Sequence, residues 1–162
     1  MYSPTGGAKF GVNLIKTMND RWKILIAEDN LDRCDYAASR LKKDGNWEPT
    51  VARSLSEAKR IIDEGRTFDV ALVDLGLGGG LKFDPKSGEE LAELLIQCGT
   101  KVGLLSGSTA KVSLEIAHRL KVPFFDKIEI DDYVVVAKEI LYRLPEGQRE
   151  GDNLQGYTER IR

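Results

Sequence analysis

Histidine is almost missing from this chain: its 162 residues contain one, His118. That residue falls on a predicted helix, away from any strand end, and reads as part of a solvated helix face. Cysteine is nearly as scarce. Cys34 and Cys98 both occupy apolar positions of predicted helices, so both are expected to be small buried hydrophobes rather than disulfide partners or metal ligands. No charge of one sign dominates, since 24 basic residues face 26 acidic ones for a net charge of -2. This removes the electrostatic argument for direct nucleic-acid binding, which calls for clustered basic residues. No apolar run approaches the ~20 residues of a membrane span. Residues 1–20 carry Lys9 and Lys16 but no apolar stretch of signal-peptide length. The expectation is a cytoplasmic protein without membrane contact. Hydrophobic residues, at 41%, suffice for one core, and the length suits one domain of about 100–150 residues.

From Trp22 onward, short apolar runs alternate with helical patterns, which predicts βα units around a parallel sheet. The first strand is Trp22–Ala27. A helix over Leu31–Asp44 follows, with Cys34, Ala37, Ala38 and Leu41 on one face and Gly45 as its stop. A weaker strand covers Glu48–Ala52. Ser54 and Glu57 form a capping box that opens a helix with Ala58, Ile61 and Ile62 inward. Asp69–Val73 is the third strand and delivers Asp74 at its carboxyl end. A glycine-rich loop then runs from Gly76 to Lys86. Ser87 and Glu90 read as a second capping box, opening a helix whose stripe is Leu91, Leu94, Leu95 and Cys98. Val102–Leu105 is the fourth strand, ending at Ser106, and a helix over 110–120 follows. A short strand, Pro123–Phe125, leads to Lys127. The last helix spans roughly Asp131–Leu144, with Val134, Ala137, Leu141 and Leu144 inward, and Pro145 stops it. The organisation is an N-terminal extension (1–20), one domain (21–145) and a polar C-terminal tail or linker remnant (146–162). In the extension, Phe10, Leu14 and Met18 share a helical spacing that Gly11 and Asn13 weaken.

In an open parallel sheet, ligands bind beyond the carboxyl ends of the strands, where strand order reverses. The residues at those ends are Glu28 and Asp29, Asp74, Ser106 and Lys127. Each follows directly on a buried apolar run, which surface decoration does not explain. Three clustered carboxylates repel one another, and a hard divalent cation relieves that repulsion. Mg2+ prefers carboxylate and carbonyl oxygens and commonly bridges to a phosphoryl group. An ionised carboxylate beside it can attack phosphorus to give an acyl phosphate. Phosphoryl transfer depends mostly on positioning and charge neutralisation. Lys127 supplies a cation for the phosphoryl oxygens and Ser106 a hydroxyl donor, while Gly76 and Gly107 leave room for the incoming group.

The segments Ile24–Asp29, Phe68–Asp74, Leu104–Gly107 and Phe124–Lys127 resemble the conserved blocks of response-regulator receiver domains of two-component signalling. The resemblance covers roughly Arg21 to Leu144, with four blocks in the right order at the right strand ends. It implies an α/β, doubly wound, flavodoxin-like fold: a five-stranded parallel sheet in the order 2-1-3-4-5 with five flanking helices. It further implies that Asp74 is the phosphoryl acceptor and that Ser106 and Lys127 contact the phosphoryl group. Asp29, Asp74 and the Gly76 carbonyl would hold Mg2+, with Glu28 acting largely through water. Phe124 occupies the place of an aromatic that rotates as the switch is thrown. The implied partners are a histidine kinase or phosphotransfer protein and a downstream protein target or separate output domain. The surface over the fourth helix, fifth strand and fifth helix (roughly 110–144) would carry those contacts, including homodimeric ones. Activity would be confined to the domain's own phosphoryl transfer and dephosphorylation.

The sequence departs from the family pattern at Gly78 and Ile128, both commonly proline. The second departure matters because that proline helps to aim the lysine. The loop from Gly76 to Ser87 is also longer than usual, and Ser106 stands where threonine is commoner. Among other readings, Gly80–Ser87 nearly spells a phosphate-binding loop, but Pro85 lacks the N–H needed there. A haloacid-dehalogenase-type phosphatase needs a second acid at the position of Gly76. His118 does not qualify as a phosphohistidine donor. The serious rival is a receiver-shaped interaction module that is never phosphorylated. Taken singly, Glu28 or Asp29 could be helix caps, Ser106 a turn residue and Lys127 a surface cation.

Overall fold

The computed structural model describes residues 20–78, 82–107 and 110–144. The N-terminal extension, with Phe10, Leu14 and Met18, and the tail from Pro145 onward lie outside the described residues. The elements are β1 (Trp22–Ala27), α1 (Leu31–Asp44), β2 (Trp47–Ala52), α2 (Leu55–Asp63), β3 (Val70–Asp74), α3 (Lys86–Gln97), β4 (Lys101–Ser106), α4 (Ala110–Leu120), β5 (Phe124–Asp126), a 3-10 turn (Lys127–Glu129) and α5 (Tyr133–Leu141). All strand pairs are parallel, in the order β2-β1-β3-β4-β5. The expected five-stranded doubly wound architecture is thus observed.

Side chains alternate between the two faces of the sheet and build two cores. On one face, Leu25, Ala27, Ala71, Val73, Leu104 and Phe124 pack with Ala58 and Ile61 of α2, Leu91 and Leu95 of α3, and Ile116 and Ala117 of α4. On the other, Ile24, Ile26, Val70, Leu72, Leu105 and Phe125 pack with Ala37 and Leu41 of α1 and with α5. Burial on both faces explains why these strands read as continuous apolar runs. The register then fixes the site. Ala27 pairs with Val73, Asp74 with Leu105 and Ser106 with Asp126. The chain therefore leaves β1, β3, β4 and β5 at one edge.

Local signals hold where they have backbone partners. Asn30 accepts the Arg33 N–H at the start of α1, and Gly45 takes the left-handed conformation (φ 89°) that ends it, which suits glycine. Since Asn30 is that cap, the cap reading of Glu28 or Asp29 falls away. The Ser54 hydroxyl accepts the Glu57 N–H, while Glu57 reaches back to the N–H of Arg53 rather than that of Ser54. Four expectations are corrected. Ser87 does not cap α3: Pro85 is already helical (φ -78°, ψ -2°), so Ser87 lies inside the first turn. A proline with its φ preset for helix starts the element earlier, and Asp84 accepts the Lys86 N–H at 3.0 Å. Cys98 is exposed, because α3 ends at Gln97 before its stripe returns to the core. Leu144 is also exposed, as α5 stops at Leu141. The strands β3, β4 and β5 each run one residue further than expected, through Asp74, Ser106 and Asp126. Among the described residues, no helix is long and apolar enough to cross a membrane.

Candidate functional site

The carboxyl edge of the sheet gathers the predicted residues. Glu28 leaves β1 almost fully buried, and its neighbour Asp29 is half-buried. Asp74, the last residue of β3, is buried, as is Ser106 at the end of β4. Glu28, Asp29 and Asp74 each offer one carboxylate oxygen, and these oxygens lie within 4.8 Å of one another.

Lys127 ties the group together. Its Nζ donates to Asp74 Oδ2 at 3.0 Å and to Glu28 Oε2 at 3.1 Å. The other oxygens are also served by the chain. Asp74 Oδ1 accepts the Gly76 N–H at 2.9 Å, and Glu28 Oε1 accepts the Asn30 N–H at 3.1 Å. Lys127 reaches inward from the first residue of the 3-10 turn, whose cap is Asp126 accepting the Ile128 N–H at 2.9 Å. Proline at 128 could not make that bond, so isoleucine there keeps the cap of the turn that carries Lys127. The Lys127 stem passes Gly107, where an added Cβ would lie 3.6 Å from Lys127 Cε.

The electrostatics follow from this packing. Burial pushes Glu28 up to about 7, the Asp74 charge adds to the rise, and Lys127 and the Asn30 N–H oppose it. For Lys127, burial pulls the ammonium down, but Asp74 and Glu28 outweigh burial and the net shift is upward. Beneath Glu28, the Cys34 thiol donates to the Glu28 carbonyl at 2.9 Å. Burial, followed by the Glu28 charge, pushes that thiol up to about 11.

Every predicted site residue is described. Glu28, Asp29, Asp74 and Lys127 converge, Gly76 contributes its N–H, and Ser106 ends the neighbouring strand. Phe124 is 2% exposed and packs into the α2–α4 face of the core. Three contributors escaped the sequence reading. Asn30 supplies a backbone donor, and its N-cap position directly after the acids was a usable signal. Gly88, in the first turn of α3, abuts the chain at Asp74: an added Cβ would lie 2.5 Å from the Asp74 carbonyl oxygen. Its glycine-in-helix identity hinted at close approach. Phe83, from the long loop, faces the space beside Gly76, 3.8 Å from a Cβ placed there; no local pattern announces that.

The chain matches no protein-family model and no curated protein. Its fold does match solved structures. One is a CheY-like response-regulator receiver domain protein from Methanospirillum hungatei JF-1, at 19% identity and TM-score 0.61, covering 87% of this chain and 99% of that one. Another is a response regulator from Thermotoga maritima, at 18% identity and TM-score 0.61, covering 75% and 98%. A third is a response regulator from Burkholderia pseudomallei with a phosphorylated aspartic acid, a calcium ion and citrate, at 21% identity and TM-score 0.59, covering 73% of this chain and 66% of that one. The fold is that of response-regulator receiver domains.

Proposed function

We propose that this chain is a receiver module that accepts a phosphoryl group on Asp74 and changes its protein contacts as a result. The observation that carries this reading is the bridge from Lys127 to both Asp74 and Glu28 inside a cluster of three carboxylates. A lone buried acid would need only a partner, whereas three acids and one cation leave negative charge in excess at a strand edge. That donor set fits a hard divalent ion with oxygen ligands. Asp29, Asp74 and the Gly76 carbonyl would hold Mg2+, with Glu28 behind them. When bound, the ion would supply positive charge to offset that of the carboxylates and of an incoming phosphoryl group.

The chain's own residues do the rest. An Asp74 oxygen attacks phosphorus, the bond from phosphorus to the donor nitrogen breaks, and the electron pair leaves with the donor imidazole. Lys127 and the Ser106 hydroxyl neutralise charge on the phosphoryl oxygens, and the Gly76 N–H orients the acceptor. The donor is a phosphohistidine of a histidine kinase or phosphotransfer protein, and the readout is a downstream protein or an output domain. Catalysis is limited to the module's own phosphorylation and dephosphorylation.

The test is incubation with acetyl phosphate and Mg2+, followed by intact mass measurement on wild type and Asp74→Asn. One phosphoryl adduct is expected on the wild type, absent without Mg2+ and absent from the variant. An unmodified wild type refutes the reading and leaves a receiver-shaped interaction module.

A further inference from the structure

We infer that Phe83, carried by the long loop after β3, is the apolar wall that keeps water from a phosphoryl group on Asp74 and so lengthens its lifetime. This rests on the phosphoacceptor reading above. Gly76 has no side chain, and the space where one would start is bordered by both the acceptor and this ring. A Cβ there would meet Asp74 Oδ1 at 3.5 Å, Asp74 Oδ2 at 3.8 Å and Phe83 Cδ2 at 3.8 Å. Carboxylate and ring edge are thus neighbours across the side-chain-free position of Gly76.

The ring is held in place. Phe83 is half-buried and packs against the α2–α4 face of the core, while Lys82 and Asp84 on either side are exposed. The chain just after it is pinned, since Asp84 accepts the Lys86 N–H at 3.0 Å and Pro85 has already entered the helical conformation. Such a ring edge offers no hydrogen bond with which to orient an attacking water, and an apolar wall favours exclusion of water.

The step affected is hydrolysis of the acyl phosphate. A water oxygen bonds to phosphorus, the bond from phosphorus to the Asp74 oxygen breaks, and its electron pair returns to the carboxylate. Both water hydrogens leave with dihydrogen phosphate. Truncating Phe83 removes the ring from the space beside Gly76 and speeds this step without changing the acceptor, its lysine or the acid cluster.

The experiment charges wild type, Phe83→Ala, Phe83→Val and Phe83→Leu with acetyl phosphate and Mg2+, removes the donor and follows intact mass with time. All should charge. Phe83→Ala and Phe83→Val should lose the phosphoryl group several-fold faster than wild type, and Phe83→Leu should stay near it. Unfolded in denaturant, all four should decay alike, which separates the wall from any covalent difference. If Phe83→Ala does not fold, Phe83→Val decides the same question. Charging with a decay rate unchanged or slower in the truncated variants overturns the wall and leaves the acceptor assignment standing. No adduct on the wild type overturns both.

Discussion

Gly88→Ala gives a sharp test of how the site is tied to the fold. In an exposed helix this substitution stabilises by about 1 kcal/mol, because alanine loses less backbone freedom than glycine. Here the added methyl would lie 2.5 Å from the Asp74 carbonyl oxygen, 2.6 Å from Leu75 Cα and 3.0 Å from the Leu75 carbonyl oxygen. All three are backbone atoms, so no rotamer change clears the space. Either α3 withdraws from the sheet or the Asp74–Leu75 segment shifts. Overpacking of this kind costs about 1–3 kcal/mol. The expected outcome is a loss of that size in place of the usual gain, with Tm lowered by roughly 2–12 °C. Urea denaturation reads it as a lower midpoint at an unchanged slope.

Because the obstructed atom is the acceptor's own carbonyl oxygen, phosphoryl charging should fall further than stability alone dictates. Gly103→Ala is the matched control. Its methyl would run into Cδ1 of Ile140, the far end of a flexible side chain on the opposite face of the sheet, so it should destabilise yet leave charging intact. A Gly88→Ala protein as stable as wild type, or more so, would refute the close approach and the inference drawn from it.

Removing the cation with Lys127→Met leaves Glu28 and Asp74 buried and facing each other, and stranding one side of a buried ion pair costs about 3–5 kcal/mol. Mg2+ should therefore raise the urea midpoint of this variant more than that of wild type; equal shifts would separate the lysine from the metal site. A pH series tests Glu28. Its folded value of about 7 lies above its ordinary 4.5, so its contribution is fully present below 4.5 and is lost as pH rises through about 7. Without divalent ions, stability should decline over that window more in wild type than in Glu28→Gln, and Mg2+ should shrink the difference; identical pH curves would contradict the buried charge. The upward shift of Lys127 works in a higher window, its contribution being lost only as pH rises through a folded value above 10.5. Thiol labelling distinguishes the cysteines: Cys98 should react with maleimide in the native protein and Cys34 only after unfolding, because Cys34 is buried with its thiol bonded to the Glu28 carbonyl. Two labels on the native protein would contradict that packing.

The fold was legible because each strand end coincides with a change in burial that leaves a mark on residue type. Val70–Val73 is apolar on both faces, and an aspartate immediately afterwards can only be an edge residue. Capping was less legible where two signals compete. Ser87 with Glu90 has the pattern of a cap, yet Pro85 sets the helix going before it, and nothing in the pattern says which prevails. Cys98 misled for a related reason. Helical spacing continues on paper past Gln97, while the helix itself stops there and turns the thiol outward.

The site was legible as a set of residues but not as a balance of charges. Sequence places three acids and a lysine at one edge; it does not say which acid the lysine serves. The structure gives Lys127 to Asp74 and Glu28 together, leaving Asp29 half-buried without it. That arrangement has a consequence for the proposed chemistry. With Lys127 holding one oxygen of each buried acid, the resting pocket is partly neutralised from within. The ammonium nevertheless has a third proton and a stem lying along Gly107. It can turn to phosphoryl oxygens only as Asp74 and Glu28 find another source of positive charge, because abandoning two buried carboxylates is far costlier than exchanging one partner for another. On this reading Lys127 makes acceptance of the phosphoryl group depend on divalent cation, and Glu28, which lies outside any attack on phosphorus, earns its place by holding that lysine at rest.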